Sequence, residues 1–215
     1  MSENRPHGGP PARSAGTPRL RPGRPPTMAA PRERILEEAA RLFADSGYEN
    51  STMADVAGRL GVTKAAIYHY FPTKQDIYDA IIIDVLSGLT ATVAAEVARE
   101  TEPMARLRRF MLAHARYFQA RHPQFVTMLI GYSGMQPGYR EDAARLRDEY
   151  EQILRRLISE GVARGVFRDV DPAQTGRAIL SMLNWMARWY KPGGEQDAEA
   201  VADGYFDLLC GGIRR

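Results

Sequence analysis

The side chains with the clearest capacity for chemistry stand between residues 52 and 74. They are two lysines, two tyrosines and a histidine: Lys64, Tyr68, His69, Tyr70 and Lys74. No pair among them combines a nucleophile with a base at a convincing spacing. Cationic and aromatic groups on a slim helix instead suit the major groove of DNA, where the base edges offer hydrogen-bonding groups. The stretch therefore predicts contact with a nucleic acid rather than a reaction centre.

Two short helices separated by a tight turn would present these side chains. Thr52 followed by Asp55 is a capping-box pattern, with Asp in place of the usual Glu or Gln, so the first helix should begin at Met53. Gly61 can adopt the left-handed conformation that ends a helix, and Thr63 can then cap a second one. The pattern predicts a helix-turn-helix, and the alternative is a helical hairpin used only for packing.

The region around this motif resembles the N-terminal domain of the TetR family of transcriptional regulators. The residues that carry the resemblance keep their order and spacing: Ile35, Phe43, Gly47, Tyr48, Thr52, Asp55, Val56, Ala57, Gly61, Val62, Lys64, Ile67, Tyr68, Tyr70, Phe71 and Lys74. The resemblance covers about residues 32–80. It implies a homodimer that presents one recognition helix per protomer to a double-stranded DNA operator. It also implies an all-helical C-terminal domain that binds a small molecule and forms the dimer interface with its last two helices.

The resemblance assigns roles to individual residues by position. Lys64 and Ala66 are expected to face base edges, whereas Tyr68, Tyr70 and Lys74 are expected to position the protein on phosphates. The full predicted set also includes the two capping threonines, the histidine and two arginines of the N-terminal tail. This DNA-binding set is Thr52, Thr63, Lys64, Ala66, Tyr68, His69, Tyr70, Lys74, Arg21 and Arg24.

The first 31 residues have the composition of a basic, disordered tail. They carry eight of the fourteen prolines, and their five arginines and one glutamate give a net charge of +4, whereas residues 32–72 carry −1. A segment with so little apolar surface cannot fold alone. Residues 19–26 are similar to the cationic arms that lie in A·T-rich minor grooves, and for this reason Arg21 and Arg24 are expected to bind DNA. The alternative is a misassigned start, with Met28 as the first residue.

The rest of the chain is predicted to be all-α, because no stretch alternates with period two for long enough to indicate a strand. After the helix-turn-helix, helices are predicted at 74–99, 103–121, 123–135, 139–164, 171–190 and 195–213. The predicted division is a disordered Pro/Gly-rich tail at 1–30, a three-helix DNA-binding domain at 31–75, and a ligand-binding and dimerisation domain at 76–215.

The middle helices supply the candidate ligand site. Their mixture of aromatic and methionine side chains suits a roomy apolar pocket with few hydrogen bonds better than a tightly packed core. The predicted lining residues are Phe110, His114, Tyr117, Phe118, Phe125, Met128, Leu129 and Tyr132. We expect a hydrophobic small-molecule effector to bind there.

A second candidate ligand site lies near residue 188. Trp185 and Trp189 are four residues apart, so their rings are expected on one helix face with Arg188 beside them. The stretch is similar to the corresponding helix of TetR-like repressors that respond to acyl-coenzyme A thioesters. Stacked aromatic rings and a guanidinium group suit an adenine and its phosphates. The alternative is that both tryptophans are core or dimer-interface anchors.

No catalytic, metal or cofactor site is indicated by the sequence. His114 and His122 are eight residues apart, which fits a histidine lining a cavity and another at a helix end better than a metal site. The single cysteine, Cys210, cannot form an internal disulfide, which fits a reducing cytoplasm. No apolar run approaches the ~20 residues that span a bilayer, so no membrane association is expected.

These observations predict a cytoplasmic, ligand-responsive regulator, most simply a repressor. It would bind a pseudo-palindromic operator as a dimer and be released by a hydrophobic molecule such as an acyl-coenzyme A thioester. Two alternatives stay open. A DNA-binding regulator that senses a partner protein would have a filled C-terminal domain. A helical enzyme acting on acyl thioesters would need a catalytic set that the sequence does not offer.

Deleting residues 1–27 should weaken DNA binding, mostly at low salt and on A·T-rich flanks. The reason is that the tail contributes a net charge of +4 per protomer, whereas the DNA-binding body, residues 32–72, has a net charge of −1. The measurement is operator affinity across a salt series for the full-length and truncated proteins. Equal affinities at every salt concentration would rule out a DNA-binding arm.

Overall fold

The computed structural model describes Met1, residues 31–131 and residues 134–213. Arg21, Arg24 and Tyr132 lie outside the described residues, so the predictions made for them stay predictions. Within the described part the chain forms nine α-helices and no β-strand, which confirms the predicted all-α fold. The helices are α1 Pro31–Ser46, α2 Met53–Leu60, α3 Lys64–Tyr70, α4 Lys74–Val97, α5 Pro103–Ala120, α6 His122–Gly131, α7 Pro137–Ala163, α8 Pro172–Trp189 and α9 Ala198–Ile213.

The predicted helix boundaries agree with the structure to within a few residues, with two larger differences. Helix α6 ends at Gly131, four residues before the predicted end. Helix α9 begins at Ala198 rather than residue 195, and its first backbone N–H donates to Oε1 of Gln119 on α5 at 3.0 Å. The start of α9 is therefore set by a side chain 79 residues earlier, which local sequence signals do not show.

Helix α4 is the centre of the fold. By length and composition alone its 24 residues could cross a membrane. In the structure α4 packs against α1, α5, α6 and α7, which bury apolar side chains over most of its circumference, including Ile77, Ile82 and Leu86. Ser87, Ala91 and Ala95 form the exposed side. An α-helix that is apolar on most sides is typical of a protein core. The packing therefore accounts for the apolar character of α4.

The first three helices form a small bundle that packs against the larger bundle formed by α4 to α9. Ile35, Ala39 and Phe43 recur at helical spacing on α1 and are buried, and Ile67 anchors the short α3 with no exposed surface. Helix α1 packs against α2 and also against α4 and α6. The bundle thus contacts the rest of the protein through two helices and not through α4 alone.

Helices α8 and α9 have different main neighbours. Helix α8 packs chiefly on α7, whereas α9 packs on α5. Two arginines of α5 hold α9 with paired hydrogen bonds: Arg108 donates from Nε and Nη2 to the Asp203 carboxylate at 2.7 Å each, and Arg116 donates likewise to Glu199 at 2.9 and 2.7 Å. Such two-point pairs fix orientation as well as distance.

A close approach within the chain depends on Gly161 near the end of α7. The backbone N–H groups of Val166 and Phe167 both donate to the Gly161 carbonyl, at 2.9 and 3.0 Å, so the chain folds back over this residue. A Cβ atom at Gly161 would overlap the Phe167 ring, which is 1% exposed. At Gly176 on α8, an added Cβ would lie 3.7 Å from Leu154, an ordinary contact.

Replacing Gly161 with Ala should destabilise the protein by roughly 1–3 kcal/mol, because the buried Phe167 ring has no room to move away. Gly176→Ala is the matched control and should be neutral or stabilising by roughly 0.5–1 kcal/mol, since Ala is the better helix former. Chemical denaturation at one protein concentration measures both. Equal stability of the two variants would contradict the overlap at Gly161.

Candidate DNA-binding surface and effector cavity

The turn between α2 and α3 has the geometry that the sequence predicted. Thr52 caps α2 in a complete capping box: Asp55 N donates to Thr52 Oγ1 at 3.2 Å, and Thr52 N donates to Asp55 Oδ2 at 2.9 Å. The hydrogen bonds from Thr52 lower the pKa of Asp55. Gly61 ends α2 with φ of 65°, and Thr63 caps α3 by accepting from Ala66 N at 3.3 Å.

Helix α3 presents polar and aromatic side chains to solvent. Ile67 points into the bundle, while Lys64 and His69 are exposed and Tyr68 and Tyr70 are 44% and 41% exposed. The Lys64 ammonium lies 5.5 Å from the Tyr68 ring, and the His69 and Tyr70 rings are 5.1 Å apart. The helix therefore offers a cationic and aromatic face with no internal partner helix.

The capping threonines differ in what they leave free. The Thr52 hydroxyl donates to Asp55 Oδ2 at 2.7 Å, so its proton is already used within the capping box. The Thr63 hydroxyl accepts from Ala66, which leaves its proton free to donate. Ala66 is half-buried. Of the two caps, Thr63 is the better suited to a phosphate oxygen.

Lys74 is turned toward the protein. Its Nζ donates to the backbone carbonyls of Tyr48 and Ser51 at 2.7 and 2.9 Å and lies 4.1 Å from the centre of the Tyr48 ring. An ammonium group has three donors, so one is left. Lys74 thus ties the first turn of α4 to the segment that precedes α2. Its predicted contact with phosphate stays a prediction, now limited to a single donor.

A polar cluster joins the start of α4 to the segment before α7. The buried Asp79 accepts from Gln75 Nε2 at 2.8 Å and from the backbone N–H of Gln136 at 3.2 Å. Gln75 Oε1 accepts in turn from the Tyr48 hydroxyl at 2.8 Å. The N-terminal end of α4 is therefore hydrogen-bonded both to the helix-turn-helix bundle and to the segment before α7.

Most of the aromatic side chains predicted to line a pocket form a packed cluster instead. The ring centroid of Phe118 lies 5.2 Å from that of Phe125 and 5.3 Å from that of Tyr190. The centroid of Phe110 lies 5.2 Å from that of Tyr150, in a stacked arrangement. The predicted residues that occupy this core are Phe110, His114, Tyr117, Phe118 and Phe125, all at most 9% exposed. Their rings fill the space between α5, α6 and α7, so the predicted lining is corrected to a core.

A cavity of about 330 Å³ lies beside this cluster, between α4, α6, α7 and α8. Among the described residues of the predicted set, Met128 and Leu129 border it. The apolar walls are completed by Leu86, Leu89 and Leu180, and the polar lining residues are Tyr150, Arg147, Glu151, Arg177, Ser181 and Asn184. The cavity therefore lies beside the predicted aromatic residues and is not formed by them.

A second hollow, of about 670 Å³, opens between α6 and α8 and shares Leu129, Ser181 and Asn184 with the cavity. Its lining includes Trp185 and Arg188. The Arg188 guanidinium lies 5.9 Å from the Trp185 ring, and Trp185 is 62% exposed. Trp189 is 41% exposed and its ring faces Tyr190 at 6.4 Å. Neither tryptophan is a core residue, so the alternative to a ligand site that stays open for them is an anchor of the dimer interface.

Tyr150 is a cavity-lining residue that the sequence did not single out. It borders the cavity and its hydroxyl lies 2.6 Å from Nδ1 of His114. Both side chains are buried; burial lowers the pKa of His114 to about 3 and raises that of Tyr150. The imidazole is therefore neutral near pH 7. The available signal was a tyrosine on the apolar face of α7, with Leu146 and Leu154 four residues to either side.

The described residues contain no group of three His, Cys, Asp or Glu side chains that could hold a metal ion. His114 is paired with Tyr150, and the ring of His122 packs between Phe118 and Tyr190 at 5.1 and 6.2 Å. Burial lowers the pKa of His122. Both histidines thus occupy aromatic surroundings within this part of the chain.

Both the N-terminal and the C-terminal part of the chain match known protein families. Residues 35–81 match the family described as bacterial regulatory proteins of the tetR family. Residues 100–213 match the tetracyclin repressor-like C-terminal domain. These matches cover the helix-turn-helix and three of the four helices around the cavity, α6, α7 and α8.

Three similar proteins cover most of this chain. The HTH-type transcriptional repressor KstR2 of Mycolicibacterium smegmatis is 30% identical over 207 residues, which are 90% of this chain and 96% of KstR2. The crystal structure of PfmR, a TetR family transcriptional regulator from Thermus thermophilus, is 48% identical, with a TM-score of 0.80 over 85% of this chain and all of PfmR. AibR, crystallised with isovaleryl coenzyme A and operator DNA, is 27% identical, with a TM-score of 0.75 over 83% of this chain and 97% of AibR.

These matches agree with the capped α2 and α3, the exposed face of α3 and the all-helical domain that follows. They confirm the resemblance first seen in the residues of the N-terminal region. This chain belongs to the TetR family of bacterial transcriptional regulators.

Proposed function

We propose that this protein is a homodimeric repressor that binds a pseudo-palindromic operator in the bacterial cytoplasm and leaves it when an acyl-coenzyme A thioester binds. The observation that carries the proposal is the junction of the cavity with the hollow that contains Trp185 and Arg188. An acyl group fits the apolar cavity, whereas the nucleotide fits beside an aromatic ring and a guanidinium group.

The similarity to AibR supports this choice of effector. AibR was solved with isovaleryl coenzyme A and operator DNA, so a protein with this fold binds both kinds of molecule. In the present chain the lining of the hollow combines a cationic and a large aromatic side chain with two polar ones, Ser181 and Asn184. The same lining would have little reason to favour a free fatty acid over its thioester.

The DNA contacts are proposed on the exposed face of α3. Lys64 lies at the N-terminal end of this helix, where recognition helices of helix-turn-helix proteins contact base edges. The aromatic hydroxyls of Tyr68 and Tyr70 and the free proton of Thr63 suit phosphate oxygens. The helix-turn-helix bundle carries no excess of positive charge, so these local contacts and the tail must supply the attraction to DNA.

The dimer is proposed to form through α8 and α9. Trp189 on α8 and Leu208 on α9 are 41% and 73% exposed, although large apolar side chains are usually buried. Trp189 also borders a hollow lined by Val201, Gly204 and Tyr205 of α9. Exposed apolar surface of this kind suits a self-complementary two-fold contact, in which the same patch of each protomer meets its copy.

Helix α4 offers a physical route from effector to operator. Its middle residues Leu86 and Leu89 border the cavity, and its first turn is tied by Lys74 to the segment before α2. An effector that prefers a displaced α4 would change the position of α3 in each protomer. The change in DNA affinity then equals the difference in effector affinity between the two arrangements.

The cavity also separates this proposal from the alternatives. A regulator that senses a partner protein would be expected to fill its C-terminal domain, whereas this domain holds a cavity of about 330 Å³. The family to which the chain belongs consists of transcriptional regulators, which speaks against an enzyme acting on acyl thioesters.

Lys64→Ala should reduce discrimination at one base pair of each half-site by roughly 1–3 kcal/mol, because a contact with a base edge is lost. Lys74→Ala should weaken binding to operator DNA and to random DNA by the same factor. It should also lower the melting temperature of the protein, because the two hydrogen bonds from Lys74 to backbone carbonyls are lost. Binding is measured on an operator selected from genomic fragments and on its single-base variants. Arg145→Ala on α7 is the control for loss of one positive charge, and an identical response of Lys64→Ala and Arg145→Ala would contradict the recognition-helix assignment.

Arg188→Ala should raise the acyl-coenzyme A concentration needed for operator release about tenfold or more, since a charge-assisted hydrogen bond contributes about 1.5–3 kcal/mol. Operator affinity without effector should be unchanged. The measurement is release of labelled operator by thioesters and by the corresponding free acids, which should act poorly. Arg145→Ala again serves as the charge control. Loss of the dimer in Arg188→Ala, or no release by any saturating thioester, would show that this stretch is structural.

A further inference from the structure

We propose that the part of the effector that enters the cavity carries an oxygen function, a ketone or a hydroxyl, far from its thioester, and that the hydroxyl of Tyr150 recognises it. This inference rests on the proposed function, because it takes the cavity as the effector site. It adds the chemical class of the acyl group. A plain hydrocarbon chain would be the poorer ligand.

The position of Tyr150 places it at the far end of the bound molecule. The cavity meets the hollow that contains Arg188 at Leu129, Ser181 and Asn184, which lie on α6 and α8. Tyr150 lies on α7 and borders the cavity only. A thioester carbonyl near the junction would therefore be separated from Tyr150 by the length of the acyl group.

The Tyr150 side chain is held rigidly. Its ring stacks on Phe110 with a centroid distance of 5.2 Å, and its hydroxyl lies 2.6 Å from Nδ1 of His114. Tyr150 is 4% exposed and His114 is 1% exposed. A group fixed in this way recognises a ligand without losing side-chain freedom at the moment of binding.

The hydrogen-bonding capacity of the pair leaves one proton for a ligand. A neutral imidazole has a single N–H, and Nε2 of His114 is buried with no hydrogen-bond partner among the described residues. Placing the proton on Nε2 would leave a buried donor unpaired, which proteins avoid more strictly than an unpaired acceptor. The proton therefore belongs on Nδ1, where it is donated to the Tyr150 oxygen. The proton of the Tyr150 hydroxyl is then available to an oxygen in the cavity.

The surroundings of Tyr150 make this proton selective. The neighbouring cavity walls are formed by apolar side chains, including Leu86, Leu89 and Met128. Of the charged lining residues, Arg147 and Arg177 are exposed, so they stand on the solvent side. The third, the half-buried Glu151, is paired with Arg155 at 2.6 Å. A hydrocarbon against Tyr150 would leave its proton unpaired and out of water, whereas a ketone oxygen would accept it.

The cavity volume limits the size of the acyl group. About 330 Å³ corresponds to roughly ten water-sized groups at ~30 Å³ each. An acyl group of about ten non-hydrogen atoms, open-chain or alicyclic, therefore fills the space. The expected effector is a medium-sized oxo- or hydroxyacyl thioester.

The test compares decanoyl-coenzyme A with 9-oxodecanoyl-coenzyme A by titration calorimetry on the full-length protein. The wild type should bind the oxo compound about tenfold tighter or more. Tyr150→Phe should remove this preference by weakening the oxo compound, and it should bind decanoyl-coenzyme A as tightly as the wild type or tighter, because the hydroxyl that a hydrocarbon leaves unpaired is gone. Tyr117→Phe is the matched control: it removes a buried hydroxyl that has no partner in the described structure and that does not border the cavity, so the wild-type preference should persist.

A second measurement needs no variant. The infrared band of the isotope-labelled 9-oxo carbonyl should move to lower wavenumber on binding to the wild type, because its oxygen accepts a hydrogen bond. If Tyr150→Phe fails to fold, this band still shows whether the ketone oxygen of the bound ligand accepts a hydrogen bond. An unshifted band, or equal affinity of the wild type for the two thioesters, would overturn the inference.

Failure of the proposed function gives a different result. If neither thioester binds, 2-decanone and 1-decene are compared by their effect on the melting temperature, because neither carries coenzyme A. A stabilisation by the ketone that exceeds that by the alkene, and that is lost in Tyr150→Phe, would support recognition by Tyr150 without the thioester. Equal or absent stabilisation would refute it.

Discussion

The burial of α4 over most of its circumference is the constraint on which the rest of the structure depends. Its apolar side chains are stable in water only when other helices cover them, and here α1, α5, α6 and α7 do so. The buried polar residue of α4 is Asp79, which is satisfied by Gln75 and by the backbone N–H of Gln136. Burial of an unpaired carboxylate would be unfavourable, so these partners fix the chain before α7 against the start of α4.

The same helix brings the two binding surfaces into one mechanical unit. Helix α3 has only seven residues, too few for a helix to be stable by itself, so its position is determined by what holds it. Ile67 anchors it in the bundle, and the following turn leads directly into α4 through the cap at Thr73. Because α4 is also a wall of the cavity, the proposed effector and the proposed operator would both act on the same element.

The parts of the structure that could be predicted from the sequence are those specified by neighbouring residues. The capping box of Thr52 and Asp55 and the positive φ of Gly61 involve partners within four positions, so their sequence signals are direct. Lys74 was harder to interpret, because its contact with the Tyr48 carbonyl spans 26 residues. The cavity was misplaced for the same reason. Aromatic residues such as Phe110 and Phe118 have the same periodicity whether they line a hollow or pack on one another, and only the arrangement of four distant helices decides between the two.

The separate supports of α8 and α9 have a consequence for how such a protein can diversify. Arg108 and Arg116 hold α9 on α5, whereas α8 rests on α7 and forms a wall of the cavity. Substitutions along the facing sides of α7 and α8 can therefore change the shape of the cavity, and with it the molecule that fits, while the contacts between α5 and α9 stay intact. A descendant lineage could acquire a new chemical signal through changes at positions such as Leu180 and Tyr150 and keep the α9 surface on which the proposed dimer depends.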